Sequence, residues 1–135
     1  MFTFGRDHEK ECSVQYLRDK AELPRIHRVI DAVHDFLDKV VAEDELRKVL
    51  YEAFSEGGSG VWEQTETWIR KLSKEYPSFA TLWIELSEHP SWKVRWRTAC
   101  VLSTMPPAVA LTVANRLRSD PSGKVREMAA DRQGR

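Results

Sequence analysis

Along most of the chain, apolar residues recur at the spacing of one helix face. After Pro24, the residues Ile26, Val29, Ile30, Val33, Phe36, Leu37 and Val40 fall at i, i+3, i+4 and i+7, the stripe that an amphipathic helix buries. Pro24 suits a first helical turn, where its missing N–H costs nothing. Asp44 is placed to cap a second helix that turns Leu46, Val49, Leu50, Ala53 and Phe54 inward. Gly57-Gly58-Ser59-Gly60 then interrupts the pattern as a hinge or a turn, because glycine gives up helical order most readily. A third helix carries Val61, Trp62, Thr65, Trp68, Ile69 and Leu72 inward until Pro77 ends it, and Phe79, Leu82, Trp83 and Leu86 mark a fourth.

His89-Pro90-Ser91 reads as a turn, with Ser91 as N-cap of a fifth helix reaching about Thr104. Pro106-Pro107 stops that helix and opens a sixth with Leu111, Ala114 and Leu117 inward. Asp120-Pro121-Ser122-Gly123 is a further turn before a short helix from Lys124, whose tail beyond about Asp131 is expected to fray. The first 22 residues are a loosely structured segment. Val14, Tyr16 and Leu17 give a helical turn or two there, and Phe2 and Phe4 dock as apolar plugs. The pattern predicts an all-α domain over residues 1–135 with about seven helices and no strand, its middle stretch (23–88) built from helical pairs and residues 89–135 from something more regular.

That regularity is an internal repeat. Residues 89–99 align with residues 120–130 at an offset of 31, with Pro, Ser, Lys, Val, Arg and Ala matching at six of eleven positions. Asp120-Pro121-Ser122-Gly123-Lys124-Val125-Arg126 resembles the turn and second-helix start of a HEAT repeat, of the armadillo-like α-solenoid family, and His89 to Leu102 looks like a second copy with His89 where the family has Asp. The resemblance implies a short right-handed α-solenoid of antiparallel helix pairs. Independently of the family, Val94 and Val125 start buried stripes, and Ala99, Ala129 and Ala130 are small enough for close helix approach. Arg95 and Arg126 each have the reach to tie onto the acid of an adjacent turn. Because His89 lacks that acid, Arg95 is expected to be the freer arginine, and Arg126 with Asp120 the structural pair between repeats.

Composition narrows the function classes. The chain has 135 residues, 41% hydrophobic and 31% charged, which excludes a disordered chain. No stretch approaches the roughly 18 apolar residues of a spanning helix. Two cysteines, Cys12 and Cys100, make no disulfide framework and fit a reduced, cytoplasmic protein. The zero net charge conceals two opposed blocks: residues 1–88 hold 12 Lys+Arg against 18 Asp+Glu, and residues 89–135 hold 9 against 3.

Motifs for chemistry are missing. The glycine run lacks the Lys-Ser/Thr of a phosphate loop, no Gly-x-Ser-x-Gly elbow occurs, and no cofactor is implied. Cys12 reads as a surface thiol and Cys100 as a small buried hydrophobe. The best metal candidate, His27, Asp31, His34 and Asp38, spans about 60° of one helix face, where a solvated flank is the plainer reading, so no metal is assigned. Five tryptophans lie between residues 62 and 96. Trp62, Trp68 and Trp83 belong to the core, whereas Trp92 and Trp96 share a helix with Arg95 and Arg97, and these four residue positions are the candidate partner-binding surface, because Trp and Arg dominate binding hot spots.

The expectation is a non-catalytic protein-binding module, an adaptor or inhibitor. Its narrowest form is an immunity-type protein that masks a toxin or enzyme, with the acidic half meeting a basic protein. Nucleic-acid binding through Arg95, Arg97, Arg116, Arg118, Lys124, Arg126, Arg132 and Arg135 is the alternative, weakened by a pI of about 6.9. The opposed halves also allow a salt-sensitive homo-oligomer in place of a monomer.

Overall fold

A computed structural model describes residues 4–133, and its described residues are helical without a strand. Eight α-helices follow one another: α1 (Arg6–Val14), α2 (Leu23–Leu37), α3 (Glu43–Glu56), α4 (Val61–Glu75), α5 (Leu82–Leu86), α6 (Trp92–Cys100), α7 (Pro107–Leu117) and α8 (Gly123–Gln133). Short 3₁₀ turns lie at Lys20–Glu22, Pro77–Thr81 and Leu102–Thr104. The chain divides into two compact units, Met1–Lys71 and Leu72–Arg135. The division falls within α4, earlier than the repeat boundary at His89, because α5 packs against α6 and α7 and so belongs with the repeats.

In the first unit, α2 packs on α3. Ile26, Val29, Ile30 and Val33 on one side and Leu46, Val49, Leu50 and Phe54 on the other are all buried. Each fully buried aliphatic or aromatic side chain contributes about 1.5–3 kcal/mol, which makes this pair of stripes the base of the unit. The stripe stops short of Val40, which is exposed: α2 ends at Leu37 and Lys39 turns the chain at φ 62°. Helix α3 starts one residue before Asp44, with no side-chain cap. Glu43, Asp44 and Glu45 instead place three acids in its first turn, where the helix dipole favours them. Trp62 is half-buried, edge-on to Phe54 with ring centroids 5.7 Å apart.

The N-terminal stretch departs from its sequence reading. Residues 6–14 form a nine-residue helix although they carry no apolar stripe. Ion pairs to α2 hold it. Arg6 Nη1 lies 3.1 Å from Asp31 and Nη2 2.8 Å from Asp35, and Lys10 Nζ lies 2.9 Å from Asp31. Lys20 closes the far end by donating to the carbonyls of Val14 and Leu17 at 2.7 and 3.0 Å. Phe4 is no plug: its ring is exposed and stands edge-on to His8. Phe2 lies outside the described residues.

The glycine run is a tight turn. Gly60 sits at φ 93°, and a Cβ there would collide with the carbonyl oxygen of Tyr16, so only glycine serves. Its N–H donates to Glu63 at 2.6 Å.

In the second unit, α6 packs on α8, and α7 packs on both. Trp83, Leu86, Val94, Leu102, Val113, Leu117, Val125 and Ala129 are buried. Helix α6 is shorter than its pattern suggests. It ends at Cys100, Val101 leaves helical geometry at φ −105° and ψ 14°, and a 3₁₀ turn carries the chain to Thr104. Leu111, expected inward, is exposed, since α7 turns Val113, Ala114 and Leu117 to the core. Ala99 and Ala129 are fully buried, but Ala130 faces out, and Thr98 matches Ala129 in the repeat. Helix α8 continues past Asp131 to Gln133.

Candidate functional site

The 31-residue repeat in sequence is a repeat in atoms. Before α6, Ser91 N–H donates to His89 Nδ1 at 3.0 Å; before α8, Ser122 N–H donates to Asp120 Oδ1 at 2.9 Å. The first helical amide then closes alike in both copies, Arg95 N–H to Ser91 O at 3.2 Å and Arg126 N–H to Ser122 O at 3.1 Å. Each arginine folds its Nη1 back onto two carbonyls of its own turn. Arg95 reaches His89 O at 2.7 Å and Pro90 O at 3.0 Å, and Arg126 reaches Asp120 O at 2.6 Å and Pro121 O at 3.1 Å. Proline at the middle of each turn fixes φ and has no N–H to satisfy, leaving its carbonyl free for this use.

The two arginines differ at their other edge, and here the expectation reverses. Arg95, expected to be the freer, donates from Nε to Asp120 Oδ2 at 2.7 Å and from Nη2 to Oδ1 at 3.3 Å. The Asp120 side chain is 4% exposed and that of Arg95 15%. Thus Arg95 is withdrawn from the candidate binding surface and is the tie between turns, because the acid it needs comes from the following turn and not from position 89. Asp120 keeps its structural place, but its partner is Arg95 and not Arg126. Arg126 is exposed, and no described residue supplies a carboxylate to it.

The remaining candidates separate. Trp92 is 39% exposed at the start of α6, and Lys124 from α8 lies over its ring, Nζ 5.5 Å from the centroid, a cation–π arrangement. Trp96 is half-buried, and Arg97 is half-buried and already engaged within the protein. The outward surface is therefore Trp92, Lys124 and Arg126 at the N-terminal ends of α6 and α8. Lys124 and Arg126 have no carboxylate partner among the described residues, whereas Arg116 is paired with Glu88. Lys124 was legible only as one basic residue among eight; its offset of 31 from Lys93 gave no hint that it would cover Trp92.

In the first unit, the acids of the helix face weighed as a metal candidate are engaged by other side chains. Asp31 and Asp35 bind Arg6, with Asp38 4.0 Å from it. Burial pushes the Asp31 carboxyl up, but Lys10 and Arg6 outweigh it and hold Asp31 below its ordinary value. Hydrogen bonding to Asp35 in turn raises Arg6. His34 is buried against Trp68, ring centroids 6.5 Å apart, and its Nε2 has no hydrogen-bond partner. The described residues hold no group of side chains able to bind a metal.

A cleft of about 560 Å³ lies beside α1, floored by Ile30 and Trp68 and rimmed by Cys12, Arg18, Gln64 and Lys71. Cys12 Sγ is 3.4 Å from His8 Nε2, one turn apart on an exposed helix, and among the described residues no third group hydrogen-bonds the imidazole to orient it as nucleophilic catalysis requires. Cys100 is half-buried, and burial pushes its thiol up. Compared with known proteins, the chain matches no family model, no curated protein and no solved structure.

Proposed function

We propose that this chain is a non-catalytic protein-binding module, a small α-solenoid of HEAT type whose contact surface is formed by Trp92, Lys124 and Arg126. One observation carries the reading. The turn built twice, tied by the Arg95–Asp120 pair, presents a half-exposed tryptophan and two cations from a base made rigid by charge-assisted hydrogen bonds. A large apolar ring beside basic side chains is the composition of a hot spot, and neither a nucleophile–base–orienter set nor a phosphate-binding loop accompanies it.

The narrower reading is an inhibitor that masks a partner's active site. Its support is the acid excess of residues 1–88, although Asp31 and Asp35 are spent on α1. Nucleic-acid binding loses support, since Arg95 and Arg116 are neutralised by Asp120 and Glu88. The test is affinity co-purification from the source cells with the wild type, Trp92→Ala and Lys124→Ala. A protein recovered in stoichiometric amount with the wild type should fall at least about tenfold with Trp92→Ala. Undiminished recovery with an intact helical spectrum would overturn the surface.

A further inference from the structure

The molecule contains its own example of how Arg126 is to be filled. Arg95 and Arg126 hold the same posture, each with Nη1 on the two carbonyls of its own turn. That clamp engages Nη1 and leaves Nε and Nη2 as the other edge of the guanidinium. On Arg95 this edge takes a carboxylate side-on, Oδ2 at 2.7 Å and Oδ1 at 3.3 Å. On Arg126 the same two donors meet no carboxylate among the described residues, and the side chain is exposed. Gly123 stands where the first copy has Trp92. A Cβ built there would come 3.5 Å from Arg126 Nη2, in ordinary van der Waals contact with it, whereas an indole in that place would crowd the edge.

From this we infer that the Nε–Nη2 edge of Arg126 is a receptor for an aspartate carboxylate carried on a turn of a different protein, seated as Asp120 seats on Arg95. This rests on the protein-binding reading above and names the chemistry of its partner. The repeat turns of a second copy do not supply this carboxylate. The equivalent turn of this chain offers His89, whose Nδ1 is taken by Ser91 and which has no carboxylate. Asp120 is buried and bound to its own Arg95. The field also favours an acid, since residues 89–135 carry 9 Lys+Arg against 3 Asp+Glu. A pre-oriented fork selects a planar carboxylate by geometry and loses little further side-chain freedom on binding. The acidic turn thus meets the basic end of the chain, the reverse of what the acid-rich first block by itself suggests.

The experiment is a titration of the ¹⁵N-labelled full chain, read at the arginine Nε–Hε resonances. The probe is the capped tetrapeptide of residues 119–122, Ser-Asp-Pro-Ser, with Ser-Asn-Pro-Ser as control. The Arg126 resonance should move with the Asp peptide and move about tenfold less with the Asn peptide at equal concentration, while Arg95 stays still. Arg126→Lys, which keeps the charge and removes the fork, should weaken the preference for the Asp peptide, read in this variant at the backbone amides of residues 122–127. Equal response to both peptides, or a uniform shift of all exposed arginines, overturns the receptor. Movement of Arg126 on raising protein concentration without peptide also overturns it, in favour of self-association. Loss of the receptor with Trp92-dependent co-purification intact would leave the binding-module reading standing, so the two fail separately.

Discussion

His89 Nδ1 accepts the backbone N–H of Ser91 at 3.0 Å, the bond that Asp120 Oδ1 makes with Ser122 at 2.9 Å one repeat later. A histidine thus does the turn-forming work of an aspartate. With Nδ1 accepting, the ring proton sits on Nε2, so the ring has no second acceptor to offer an arginine where Asp120 has its other carboxylate oxygen. His89→Asp should leave stability within about 0.5 kcal/mol, whereas His89→Ala should lose about 1 kcal/mol. Urea unfolding of the two variants checks this, and an alanine variant as stable as the wild type would show that the imidazole does not hold the turn.

Arg95 and Arg126 look interchangeable in sequence and should not be so in stability. Arg95→Ala strands a buried carboxylate on Asp120 and should cost about 3 kcal/mol. Arg126→Ala removes one part-buried and one exposed bond to turn carbonyls, strands no buried charge, and should cost about 1 kcal/mol. In a double-mutant cycle, Arg95→Ala with Asp120→Ala should cost clearly less than the sum of the single changes. Equal losses for the two arginines would refute the assignment of Arg95 as the tie.

Docking of α1 should be acid-sensitive. Asp31 is held below its ordinary value by Lys10 and Arg6. A depressed carboxyl stabilises the structure above its unfolded pKa and loses that contribution as pH falls through the folded one. Amide exchange protection in α1 should therefore be flat from neutral pH to about 5 and fall below about 4. Each exposed pair is worth about 1 kcal/mol or less, so the rest of the first unit should stay folded. Arg6→Ala should loosen α1 already at neutral pH. Protection in α1 that is unchanged by both acid and Arg6→Ala would mean the ion pairs do not hold it.

Gly60 and Gly58 are neighbours with different duties. At Gly60 the backbone is at φ 93° and a Cβ meets a backbone oxygen, so Gly60→Ala should cost about 2–3 kcal/mol. A Cβ on Gly58 would meet only the end of the Glu22 side chain, at 3.2 Å, and Gly58→Ala should cost about 1 kcal/mol or less. Thermal unfolding of both variants separates them, and the reverse order would place the strained position wrongly.

The apolar spacing by itself determined that the chain is helical and where α2, α3, α4, α7 and α8 run to within a few residues, and the repeated Pro-Ser-x-Lys-Val-Arg that the turns at 89 and 120 are related. Those properties are local: a 3.6-residue period and a proline need no distant partner to express themselves. Only the tertiary structure decided the rest. Helix α1 has no apolar stripe to betray it, since it stands on Arg6 and Lys10 reaching Asp31 and Asp35 about 25 residues away. The metal-like face of α2 became the seat of that helix. The exchange of roles between Arg95 and Arg126 was invisible for the same reason. Both sit in the same short motif, and which one is satisfied depends on where the next carboxylate lies in space, a separation along the chain that residue spacing within a turn does not encode.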